Sequence, residues 1–121
     1  MKQNLIDLLS GEFKTYPVIL QGSLSPAEAY PESFFTIWNT ETADWSHYDN
    51  GTVGFVWRFT VAFFSVDPTL VNTVLASARS LLIQHGWLVD GVGEDTPTDE
   101  ISHTGRSLDV IYLERFEPII N

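Results

Sequence analysis

Val53-Gly54-Phe55-Val56-Trp57-Arg58-Phe59-Thr60-Val61-Ala62-Phe63-Phe64-Ser65-Val66-Asp67-Pro68 is the stretch that decides the fold. Its odd positions from Val53 to Phe63 are all apolar, and in an extended chain they share one face. Asp67 then offers an N-cap carboxylate and Pro68 suits the first helical position, where its missing N–H has no partner to lose. Leu70, Val71, Val74, Leu75, Ala78, Leu81 and Leu82 follow at helical spacing, and Gly86 supplies a helix stop. A strand with one apolar face that runs into a helix with one apolar stripe is expected to fold the stripe back over the face.

Working outward, Lys2 to Phe13 reads as a first helix with a stripe of Leu5, Ile6, Leu8, Leu9 and Phe13. Tyr16 to Gly22 reads as a short strand with Pro17 near its start, and Phe34 to Thr40 as a second strand rich in aromatic and β-branched residues. Glu41 to Gly51 reads as a long projecting hairpin loop, closed by the turn signal Asn50-Gly51. Beyond the long helix, Trp87 to Val92 and Leu108 to Phe116 read as strands, separated by an acidic loop from Gly93 to Thr104. The expected fold is α+β: a mostly antiparallel sheet of four to five strands, a long helix packed on one face, and an N-terminal helix, in a single domain spanning residues 1–121. The even positions Val56, Thr60, Ala62, Phe64 and Val66 are too apolar for a water-facing side, so the first helix or another copy of the chain is expected to cover them.

Sixteen acidic against six scattered basic residues give a net charge of −10, which disfavours a phosphate-tracking surface. No apolar run approaches the ~20 residues that span a bilayer, and the N-terminus lacks the pattern of a secretion signal. The absence of cysteine excludes disulfide and thiolate chemistry and fits assembly in a reducing cytoplasm. Neither sequence-specific nucleic acid nor a membrane is an expected partner.

Asp44-Trp45-Ser46-His47-Tyr48-Asp49 gathers two carboxylates, an imidazole and a hydroxyl, but places Ser46 on a loop without a nucleophile elbow. Trp45 and Tyr48 are of the types enriched at interface hot spots, so protein contact is the preferred reading. Asp90-Gly91-Val92-Gly93-Glu94-Asp95 carries oxygen donors without the spacing of an EF-hand, and reads as a solvated acidic turn. His85 fits a helix C-terminus, whereas His103 has no evident partner. Arg58 interrupts the central strand, either to pair with an acid on a neighbouring strand or chain, or to lay its stem over apolar surface. No nucleophile, base and orienting group fall together, so no enzymatic activity and no cofactor or metal is expected.

The element order resembles the tail-terminator and tail-completion proteins of long-tailed bacteriophages and prophages, which include head-to-tail joining proteins. The resemblance is carried by Tyr30 to Asn39, Tyr48-Asp49-Asn50, Phe63 to Pro68, and Gly91 to Glu100 through His103-Thr104-Gly105-Arg106. It implies a structural virion protein that forms a ring, commonly a hexamer, caps the tail tube and joins it to the head connector. Its partners would be further copies of itself, the major tail tube protein and the connector protein, with location in the virion tail and in host cytoplasm during assembly. On this chain the resemblance assigns subunit or tube contacts to Trp45, His47, Tyr48, Asp49 and Arg58. An acidic loop facing the lumen would comprise Glu94, Asp95, Asp99 and Glu100. The alternative reading is a small intracellular ligand- or protein-binding domain without catalysis, its pocket lined by Trp38, Trp57 and Trp87.

Overall fold

The computed structural model describes residues 2–20, 31–46, 52–96 and 103–115. In chain order the elements are α1 (Lys2–Glu12), β1 (Val18–Leu20), β2 (Ser33–Ser46), β3 (Thr52–Ser65), α2 (Pro68–Gln84), β4 (Leu88–Thr96) and β5 (Thr104–Arg115). They form the expected α+β arrangement, with one five-stranded sheet in the order β1-β2-β3-β5-β4. The sheet is mixed: β1 runs parallel to β2, and every other pairing is antiparallel. The connection from Leu20 to Ser33 has the length a parallel return needs, about a dozen residues.

The long helix follows the sequence closely. Asp67 has extended backbone and its carboxylate accepts from the Thr69 N–H at 3.0 Å, satisfying one of the free donors of the first turn. Ser65, fully buried, ties this cap to the hairpin, since its hydroxyl is 2.8 Å from that of Ser33 and accepts from the Asp67 N–H at 3.1 Å. The helix ends at His85 and Gly86, the latter with φ 88°. Val71, Val74, Leu75, Ala78 and Leu82 are buried against Phe59, Val61, Phe63, Leu108 and Val110. Each large apolar side chain removed from water here contributes about 1.5–3 kcal/mol.

Three expectations need correction. The first helix does not cover the far side of the sheet: Leu5 and Leu9 join the same cluster as the α2 stripe, so both helices lie on one face. The segments read as loops at Glu41–Ser46 and Gly93–Thr96 are strand, because pairing partners on β3 and β5 extend the ladder past the point where apolar alternation stops. The last strand likewise begins at Thr104 instead of Leu108.

Candidate functional site: the open face of the sheet

The register assigns the side chains of the face away from the helices, here called the open face. One row across it reads Trp38, Thr60, Asp109, Asp90, and the next reads Glu41, Arg58, Ile111, Leu88. Trp38 and Glu41 share this face because β2 carries a bulge between Asn39 and Glu41, which inserts Thr40 and reverses the in-out alternation of all that follows.

Near the base of the hairpin the face is apolar and closed. Phe34, Ala62 and Phe64 are buried and pack with Ile19, the Phe34 and Phe64 rings stacking at 5.3 Å. His103, which has no evident partner in the sequence, lies 2.8 Å from the Pro31 carbonyl through Nε2 and sets its ring edge against Phe34. Thr36 shares this region, and its hydroxyl oxygen is buried with no hydrogen-bond partner among the described residues. Such an orphan costs about 1–3 kcal/mol.

Farther along, the face opens. Trp38 and Leu113 are exposed, and Leu88 is 54% exposed. Between them lies a charged depression of about 340 Å³ lined by Thr40, Arg58, Phe59, Asp90, Asp109, Val110 and Ile111. Arg58 Nε is 3.1 Å from Glu41 Oε2, which selects the ion-pair reading over the bare apolar stem. With side chains 47% and 58% exposed, water screens this pair. Asp90 and Asp109 face each other directly across β4 and β5, a like-charge pairing that costs stability. The Thr60 hydroxyl partly offsets it by donating to Asp109 Oδ1 at 3.0 Å. The depression thus sets one cation, Arg58, beside two carboxylates, Asp90 and Asp109. Among the described residues no three His, Asp or Glu side chains converge as metal donors, and no helix is long and apolar enough to cross a membrane.

The residues singled out by sequence fall in different places. Arg58 is on the open face. Trp45 is on β2 opposite Gly54, and His47, Tyr48 and Asp49 lie outside the described residues. Glu94 and Asp95 belong to β4 opposite Ser107 and Arg106, Asp95 Oδ1 standing 3.4 Å from Arg106 Nη1, while Asp99 and Glu100 lie outside the described residues. The three tryptophans do not line one pocket: Trp57 and Trp87 join the helix-side core, and Trp38 is on the other face. His85 instead borders a hollow of about 190 Å³ with Asn4, Leu8, Trp87 and Tyr112. Sequence reasoning missed Asp90, Asp109 and Leu113 as one surface, since only strand order and register bring them beside Arg58.

Along its outer side β2 is paired by β1 only at Phe35, Thr36 and Ile37, so from Trp38 to Ser46 it has no strand neighbour on that side among the described residues. No protein-family model matches the chain, and no curated protein does.

Proposed function

We propose that this chain is a structural protein of a long-tailed phage or prophage, assembling as a ring that caps the tail tube and meets the head connector. The observation that carries the reading is the placement of both helices on one face of the sheet. The other face is left with exposed Trp38, Leu88 and Leu113 around the Glu41–Arg58 pair. Exposed aromatic and aliphatic side chains rimmed by charge are the composition of a contact surface. The outer side of β2, which from Trp38 onward has no strand neighbour among the described residues, supports the same reading. The order of elements, which resembles that of tail-completion proteins, is what points this proposal to a tail assembly.

In this proposal six copies meet head to tail, each using two different patches, so that the ring closes by rotation. Acidic side chains including Glu94 face a lumen through which DNA slides, because like charge keeps phosphates from sticking. Asp95 is a poor probe of that role, since reversing it would set two cations together at Arg106. Glu94, Asp99 and Glu100 are the better charge-reversal set, with slowed DNA ejection as the expected result. The direct experiment deletes the reading frame from the phage or prophage that encodes it and images the lysate. Tubes of uncontrolled length without joined heads are expected, restored by adding the purified protein. Normal particles from the deletion would refute the proposal. In that event a melting-temperature screen of small cationic ligands against the Arg58, Asp90 and Asp109 depression tests the binding-domain alternative.

A further inference from the structure

Strand β4 is an outer strand of the sheet, and outer strands present backbone groups to any extended chain. Its middle is built differently from the rest. Asp90 pairs with Asp109 and Glu94 with Ser107, so Gly91, Val92 and Gly93 together stand opposite Leu108 alone. Both glycines have positive φ, 72° and 102°. At Gly93 space is tight as well, since a Cβ would lie 3.2 Å from Leu75 Cδ2 and from the Ser107 carbonyl oxygen.

Two arginines from different elements take the carbonyls of these two glycines. Arg79 on α2 donates through Nε to the Gly91 carbonyl at 2.8 Å, and Arg106 on β5 donates through Nη2 to the Gly93 carbonyl at 2.7 Å. Val92 is left between them, 74% exposed.

We propose that this doubly clasped bulge closes the β4 edge to strand addition by a second copy of the chain. An added strand needs a flat run of alternating free N–H and C=O groups. Here the run is bent by three residues set against one, and two carbonyls already accept charged donors, which make stronger hydrogen bonds than a neutral amide would. Asp90, Glu94 and Asp95 flank the bulge, so a second copy of the same acidic strand would also meet like charge. Among the described residues, the outer side of β2 from Trp38 onward has no such device except the single inserted Thr40. The molecule therefore distinguishes its two edges, and any pairing between copies is directed away from β4. This closure of the β4 edge holds whether or not the chain ends a tail tube.

The test is amide hydrogen exchange of residues 88–96 at low and high protein concentration, with light scattering alongside. The wild-type chain, R79Q/R106Q, and a deletion of Val92 and Gly93 that restores one-to-one pairing opposite Leu108 are compared. In the wild type, exchange on β4 is expected to be independent of concentration. In both variants it is expected to slow by about tenfold or more at high concentration as copies pair there, with a rise in mass. Folded variants whose β4 exchange stays independent of concentration would overturn the proposal. So would a wild-type chain that gains protection at 88–96 on concentration, a readout that remains decisive if the variants fail to fold.

Discussion

The two ends of the β2–β3 hairpin are made of the same kind of residue and put to different uses. Every residue of β3 from Phe59 to Ser65 is buried, with both helices on one side and the Phe34–Phe64 cluster on the other. Packing against the helices stops at Trp57, and beyond it Phe55 and Val56 are only half-buried. A 14-residue strand reaches about 46 Å at ~3.3 Å per residue, whereas the 17 residues of α2 span about 26 Å, so the helix cannot cover the whole hairpin. Aromatic content does not separate core from contact surface in this chain. What separates them is how far along the strand the helices reach.

Side-chain truncation at each end of the hairpin separates the two most clearly. Phe63→Ala, which empties a fully buried site, is expected to cost about 3–5 kcal/mol in urea unfolding, while Val56→Ala costs under about 1 kcal/mol. Comparable losses would mean that the far end is as well packed as the base. A smaller effect is expected at the junction of hairpin and helix. Asp67→Ala removes the cap on Thr69 and is expected to lower stability by about 1 kcal/mol, with Asp67→Ser retaining most of it.

Thr36→Val tests the closed part of the open face with the opposite sign. Removing a buried hydroxyl that has no partner among the described residues is expected to stabilise the free chain by about 1 kcal/mol, and a loss would reveal a hydrogen bond at that oxygen. The smallest effect belongs to the exposed Glu41–Arg58 pair. A double-mutant cycle with Glu41→Gln and Arg58→Gln is expected to give a coupling of about 0.2–1 kcal/mol that fades with added salt. A larger, salt-insensitive coupling would mean that the pair is desolvated.

These contrasts also show what the sequence could and could not convey. The α2 cap, its stripe and its stop are local features, and each appears where the residues Asp67, Pro68 and Gly86 put it. The central strand is equally plain, because its alternation is unbroken from Val53 to Phe63. The extension of β2 through Glu41–Ser46 is hidden, since one inserted residue at Thr40 reverses the alternation and makes strand resemble loop. The Gly91-Val92-Gly93 bulge hides the second half of β4 by another route: two extra residues keep the alternation but place glycines at positive φ in mid-strand, where they read as turn residues. The open face is the least legible part. Trp38, Arg58, Asp90, Asp109 and Leu113 become neighbours only through the strand order β2-β3-β5-β4, which no periodicity encodes.

In the proposed assembly the open face, and not the helix face, meets neighbouring molecules. Because the chain has no cysteine, single thiols can report on each face separately. Leu113→Cys would place one on the open face and Ile83→Cys one on the exposed side of α2, both side chains being exposed in the free chain. Maleimide labelling is compared in the free protein and in purified tails or rings. The thiol at position 113 is expected to become shielded on assembly while that at position 83 stays reactive. Shielding at 83 with continued labelling at 113 would contradict this.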